Sequence, residues 1–350
     1  MRPADRPPKR NRPMDLHADP PHALRYGFLL LPRYSMIAFS SMLEPLRMAN
    51  QLRGATLYEW VMLTMDGRPV AASNGLMLPP DAGIDKAGQL DLICVCGGLD
   101  VRLAGDRRLL GWLVRQAKKG VMLAGICTGS YLLARAGALD GYRATIHWEN
   151  IAGLREEFPG IVSTDDLFVI DRDRYTCSGG IAPMDMILTL ISQQYGIELA
   201  ADISEEFIHD RIRTTNDQQR NPLKLRIGLG HTKLVEAVRL MEANIEEPIA
   251  LDELSRYVGI SRRQLERLFR KYLNYAPTRY YLRLRLIRAR QLLLQTDMSV
   301  TAVALSCGFT TTPHFSKCYR ELYGWAPSHE RRQAISWSGG SPDAGQTVAG

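Results

Sequence analysis

Two kinds of chemistry are written into this chain, and they lie far apart. The first is a thiol at a turn. Ala124-Gly125-Ile126-Cys127-Thr128-Gly129-Ser130 places a cysteine between an apolar strand and a helix that opens with small residues. A side chain at such a turn is lifted above the carboxyl edge of a parallel sheet, where open α/β folds bind ligands. The positive end of the helix would lower the thiol pKa and favour an anion. Gly97-Gly98 end the neighbouring apolar run, and their N–H groups would reach the same spot in an oxyanion-hole arrangement.

The second chemistry is carried by arginine. Ser261 and Gln264 form a capping-box pair, and Leu265, Leu268, Phe269 and Tyr272 fall at i, i+3, i+4, i+7, the buried stripe of a helix. Arg262, Arg263, Glu266 and Arg267 are left facing outward. Arginine contacts guanine O6 and N7 together and glutamate accepts from cytosine N4, so these are expected readers of DNA bases. The same text recurs 50 residues later: Leu265-Glu266-Arg267-Leu268-Phe269 lies over Phe315-Ser316-Lys317-Cys318-Tyr319, and both copies stop at Ala-Pro. In the second copy Thr311 or Thr312 caps, Pro313 occupies the first turn, Phe315 and Tyr319 face in, and Thr312, His314, Ser316 and Lys317 face out. Each copy reads as helix, glycine turn, helix: a helix-turn-helix written twice. Between them a helix from Thr278 to Gln295 carries Arg279, Arg283, Arg285, Arg288 and Arg290. It would hold two readers at a fixed separation for successive major grooves, with its arginines near phosphate.

Stepping from the chemistry to its supports, the first 200 residues alternate apolar strands with helices. Leu24–Leu31, Tyr58–Met65, Leu90–Cys96 and Val121–Ile126 are continuous rather than alternating apolar runs. That pattern predicts a parallel sheet covered on both faces. Phe168–Asp171 and Tyr175–Cys177 predict a hairpin before a helix at Ile181–Tyr195. Charge divides the chain as well. Residues 24–221 hold 20 Lys and Arg against 23 Asp and Glu, whereas residues 222–332 hold 19 against 10. A basic C-terminal domain on a slightly acidic body points to nucleic acid for the smaller part only. The six cysteines show no C-x2-C pair for zinc, so no metal or cofactor is expected, and a reducing cytoplasm fits them. No apolar run is long enough for a membrane span.

Residues 24 to about 200 resemble the PfpI branch of the class I glutamine amidotransferase-like superfamily, through the Cys127 elbow, the Gly97-Gly98 turn and the run Ala136–Trp148 ending Thr145-Ile146-His147-Trp148. The resemblance implies a flavodoxin-like sandwich in which His147 and the carboxylate of Glu44 converge on the cysteine. Thr128 stands where protease-like members have histidine, while isonitrile-hydratase-like members share Cys-Thr-Gly. Residues 231–332 resemble the AraC-type DNA-binding domain, and the combination resembles GlxA-type regulators. Implied domains are a tail at 1–23, a sensing domain at 24–210, a linker at 211–230, the DNA-binding domain at 231–332 and a tail at 333–350. Implied partners are double-stranded promoter DNA, RNA polymerase, a second copy of the chain, and a small effector such as a betaine, carnitine or arginine. The expected effector site is Glu44, Gly97, Gly98, Cys127, Thr128, His147 and Trp148, with Trp148 and Glu149 offering an aromatic face and a carboxylate to a cation. The expected role is a cytoplasmic transcription regulator, acting as an activator. The alternative is a cysteine-dependent amidase or hydratase that also binds DNA.

Overall fold

A computed structural model describes residues 22–215, 217, 219 and 231–331. The tails, apart from His22 and Ala23, lie outside the described residues, as do residues 220–230. Two compact units meet in the chain between Gln219 and Arg220.

The first unit is a seven-stranded sheet. In chain order its strands and the short accessory ones are β1 (Leu24–Leu30), β2 (Tyr58–Thr64), β3 (Val70–Ala71), β4 (Met77–Leu78), β5 (Ala82–Gly83), β6 (Leu92–Cys96), β7 (Met122–Ile126), β8 (Arg143–Ala144), β9 (Val162–Ser163), β10 (Phe168–Asp171) and β11 (Arg174–Cys177). The main sheet runs β10-β11-β7-β6-β1-β2-β5. Every pairing in it is parallel except the β10–β11 hairpin at its edge. Both faces are covered, as the continuous apolar runs predict. Tyr26, Phe28 and Leu30 of β1, Cys94 and Cys96 of β6, and Ile126 of β7 enter one core with Phe39, Met42 and Leu46 of α1 (Met36–Arg53) and Met186 and Leu190 of α5 (Ala182–Tyr195). The intervening Leu29, Ile93, Val95 and Leu123 enter a second core with Leu109 and Trp112 of α2 (Arg107–Lys118) and Leu132 and Leu133 of α3 (Ser130–Arg135). Period-two alternation across two apolar layers explains why these strands show no polar face.

Two details depart from the expected elements. The helix anticipated at Thr128–Ala136 opens with one 3₁₀ turn, Cys127–Gly129, so regular α-helix is confined to six residues, Ser130–Arg135. The linker anticipated from 211 begins later. After α6 (Ile197–Glu206), residues 209–219 are tied back onto the α/β unit. Buried Asp185 on α5 accepts from the Arg213 backbone N–H at 2.7 Å and from its guanidinium at 2.7 and 3.0 Å, and lies 3.0 Å from His209 Nε2. Arg211 binds Asp217 through two contacts of 2.7 and 3.1 Å, and these hold the Asp217 carboxyl well below the usual range. Composition marked this segment as polar and basic, but its charges find partners distant in sequence.

The second unit is helical: α7 (Thr232–Ala243), α8 (Leu251–Tyr257), α9 (Arg262–Leu273), α10 (Pro277–Gln295), α11 (Val300–Ser306) and α12 (Thr312–Tyr323). Leu254, Val258, Leu265 and Phe269 pack with α7 and Tyr281 in one core, and in its repeat Phe315 packs tilted on Phe309 and edge to face with Tyr319. The two turns need glycine: Gly259 and Gly308 have φ of 69° and 73°. α9 starts with the predicted capping box of Ser261 and Gln264. Thr311 takes the equivalent position before α12 without a side-chain cap, and Pro313 sits in the first turn. The α10 helix is anchored to both copies by two successive turns. The Tyr281 hydroxyl accepts from the Ile249 N–H and donates to the Asn244 carbonyl, while Arg285 donates to the carbonyls of Cys307 and Gly308 at 2.8 and 2.6 Å. Arg285 and Arg290, the latter bound to buried Glu330 at 3.0 Å, are thus held by the domain's own residues.

Candidate functional site

Cys127 leaves β7 with φ 58°, in the left-handed region that a non-glycine residue seldom adopts. The elbow expected from the sequence is thus present, backbone strain included. Glycines around it serve close packing. A Cβ on Gly129 would fall 1.8 Å from the Val95 carbonyl oxygen, one on Gly97 would fall 2.3 Å from the Gly129 nitrogen, and one on Gly98 would fall 2.0 Å from the Arg33 carbonyl oxygen.

That packing takes the Gly97 N–H out of the expected oxyanion-hole arrangement. The Gly97 N–H donates to the Ile126 carbonyl at 3.1 Å, and the Gly98 carbonyl accepts from Thr128 Oγ1 at 2.7 Å. Thr128 is buried and ties the strand ends together. The expected lowering of the thiol pKa is also reversed. Cys127 is 7% exposed, and burial pushes its thiol up to about 11. The Thr128 N–H pulls the other way, and the Glu149 charge adds to the rise. One 3₁₀ turn and a six-residue helix supply too little positive potential to offset desolvation. The thiol is accordingly neutral near pH 7.

The segment after β8 crosses the elbow. The Thr145 N–H donates to Thr176 Oγ1 at 2.9 Å and the His147 N–H to the Cys127 carbonyl at 3.3 Å. His147 and Trp148 are half-buried with ring centroids 5.6 Å apart, and His147 Nδ1 lies 3.7 Å from the Glu149 carboxylate. Glu44 is half exposed and is bound by Arg47 on the same helix at 2.7 Å. Glu149 supplies the negative charge felt by the thiol. Sequence reasoning also missed Gly179, with φ 98°, where a Cβ would fall 2.8 Å from Cys127 Sγ. The signal was the Ser178-Gly179-Gly180 run directly after β11, at the same sheet edge. No group of three or more His, Cys, Asp or Glu side chains placed to hold a metal ion occurs among the described residues.

On the helical unit the exposed face of α9 differs from the expected set. Arg262 is bound by Asp252 at 3.2 Å and by Glu266 at 3.1 Å, so this pair stitches α9 to α8. Arg263 and Arg267 are exposed as expected, and Arg270, which reasoning from the first turn missed, continues their line at i, i+4, i+7. All three point away from buried Leu265 and Phe269. On α12 the equivalent positions are Pro313, Lys317 and Arg320, all exposed. Lys317 is where the sequence placed it. Thr312 Oγ1 is 3.4 Å from Thr301 Oγ1, His314 is 3.4 Å from the Cys318 sulfur and packs on Phe309, and Ser316 is half-buried. Thr312 and His314 thus make contacts within the domain, with His314 still exposed.

Residues 40–193 match the family model of the DJ-1/PfpI family, and residues 254–333 match that of a helix-turn-helix domain. The chain is similar to the HTH-type transcriptional regulator GbdR of Pseudomonas aeruginosa, 56% identical over 306 residues that cover 87% of this chain and 83% of that one. It is similar to the regulator CdhR of the same species at 44% identity, covering 87% and 91%. With the regulator GlxA of Rhizobium meliloti it shares 34% identity over 92% of this chain and 100% of the relative.

Proposed function

From the premise that this chain belongs to the family of HTH-type transcriptional regulators that join a DJ-1/PfpI domain to an AraC-type helix-turn-helix domain, we propose that its α/β unit senses a small amine or amino-acid-derived metabolite at the Cys127 elbow. The chain is a DNA-binding transcription regulator and not an enzyme. The proposal extends that role: the effector sets promoter occupancy, the chain works as a homodimer, and occupancy recruits RNA polymerase.

The observation that carries the effector class is the half-buried Trp148, its ring 5.6 Å from that of His147, in a segment whose His147 N–H is held by the Cys127 carbonyl and whose Glu149 carboxylate acts on the thiol. An indole face and a carboxylate suit a quaternary ammonium or guanidinium group. A neutral, buried thiol beneath them suits a floor and not a nucleophile. A thermal-shift series with glycine betaine, L-carnitine and L-arginine tests this. At least one should raise the melting temperature of the chain, and Trp148→Ala should abolish the rise. No shift with any of the three removes the effector class. A second measurement addresses the thiol. Since its pKa is raised to about 11, alkylation of Cys127 by iodoacetamide should quicken about tenfold per pH unit between about pH 8 and pH 10. A rate already at its plateau near pH 7 would show a reactive thiolate and reopen the enzyme reading.

A further inference from the structure

Two walls of the elbow share an attachment that neither the thiol nor the helix-turn-helix repeats require. One wall is the crossing segment Thr145–Trp148, held to Cys127 through the His147 N–H. The other begins at Gly179, packed on the sulfur, and continues into α5 with its buried Asp185. The last described stretch before the helical unit is bonded to both. Arg213 enters the Asp185 carboxylate with its guanidinium and its backbone N–H, at 2.7 to 3.0 Å. Gln219 Nε2 donates to Thr145 Oγ1 at 2.8 Å, to the Ile146 carbonyl at 2.9 Å and to the Asp166 carbonyl at 3.0 Å. Between these two anchors the Asp217 carbonyl accepts from the Leu167 N–H at 3.0 Å, while its carboxylate binds Arg211 and the Thr214 N–H.

We infer that residues 209–219 are the element through which occupancy of the elbow reaches the DNA-binding unit, with Arg213 and Gln219 as its two positioning residues. The inference rests on the effector reading above and names how that site is regulated. Movement of Thr145–Trp148 toward a ligand displaces two of the three acceptors of the Gln219 amide, Thr145 Oγ1 and the Ile146 carbonyl, away from the third, the Asp166 carbonyl. Its Oε1 is buried without a partner among the described residues, so the amide has nothing to gain by turning over. Asp185 is buried and carries both His209 and Arg213, so loosening at the Gln219 end leaves the strap held at the other. An element pinned at two points, one of which belongs to the ligand site, can be released at that point while held at the other, which would supply the second arrangement that coupling between sites requires.

The test is a double-mutant cycle on the full chain, read as affinity for a duplex that the chain itself selects from a random-sequence pool. Trp148→Ala perturbs the elbow, and Gln219→Ala, on the partly exposed end of the strap, perturbs the connection. Trp148→Ala should change DNA affinity by about fivefold or more in the natural background and by less than about twofold with Gln219→Ala present. Asp185→Asn, which also risks the fold, should give the same loss of coupling wherever it melts cooperatively. Hydrogen exchange supplies a second reading: Gln219→Ala should quicken exchange at Thr145 and His147 as well as at Arg213 and Thr214. A Trp148→Ala effect that is equal in both backgrounds, or absent from both, overturns the inference. Failure of betaine, carnitine and arginine to bind would remove the effector class while leaving this cycle to decide the coupling.

Discussion

The two copies of the helix-turn-helix share a scaffold and differ in what they show to solvent. Leu265 and Phe269 are matched by buried Phe315 and Tyr319, Gly259 by Gly308, and left-handed Asn274 by left-handed Gly324. On the outer face Arg263, Arg267 and Arg270 are matched by Pro313, Lys317 and Arg320. The first copy presents three planar forks, each able to make paired contacts to a guanine edge or a phosphate; the second presents one fork, one point charge and a ring without a donor. Interior positions are held by packing, so they vary little between copies, whereas the outer face is free to divide the labour. The expected outcome of that difference is a first copy that reads bases and a second that holds the backbone.

Substitution on the outer faces is the strongest way to break this comparison. Arg263→Ala or Arg267→Ala should each weaken binding to a selected site by about 1–3 kcal/mol, roughly 5- to 150-fold, and relax base preference at one position. Lys317→Ala should cost less than about 1 kcal/mol and lower affinity for all sequences alike, with the salt slope falling by about one. Equal losses of specificity from the two copies, measured by competition binding at fixed salt, would erase the division of labour.

A smaller contrast lies at the helices that precede the turns. Ser299 accepts from the Ala302 N–H at 3.0 Å, whereas Ala250 in the first copy has no side chain to cap α8. Ser299→Ala should therefore cost about 1 kcal/mol, and Ala250→Ser should gain up to about 1 kcal/mol, shifts of a few degrees in the calorimetric transition of the helical unit. No change from either would mean that packing alone sets these helix starts. The smallest expected effect is Arg262→Ala. Its partners Asp252 and Glu266 are exposed or half-exposed, so stability should fall by less than about 1 kcal/mol and DNA affinity by less than for its neighbour Arg263.

How far these contrasts could be read beforehand follows from the range of the forces involved. The repeat, the glycine turns, the Ser261 box and the doubly covered sheet are local or periodic, and the sequence shows them. Arg270 lies beyond the first turn, where base readers are expected, although it continues the i, i+4, i+7 line from Arg263 in the sequence. The acceptors of Arg285 and the carboxylate bound by Arg213 lie 22 and 28 residues away in sequence, and no spacing rule reaches them. Cys127 shows both sides of this. Its elbow is a pattern of small residues around a cysteine and is legible, but the sign of its pKa shift depends on what covers it. Gly179, which packs on the sulfur from 52 residues downstream, becomes visible as a neighbour only once β11 is placed beside β7.

The anchoring of α10 makes that helix an index as well as a spacer. Tyr281 fixes its start to the first copy and Arg285 fixes its next turn to the second, so no slack separates the two clamps. One residue inserted between them would advance the second reader by only about 1.5 Å but rotate it by about 100°, carrying Lys317 and Arg320 off the side that Arg267 faces. Four inserted residues would move it about 6 Å and return it to within about 40° of its starting phase. The tolerance of this regulator to changes of length is thus periodic, and the operator that it accepts should change in phase with the helix, much as a key is recut by turning its blank.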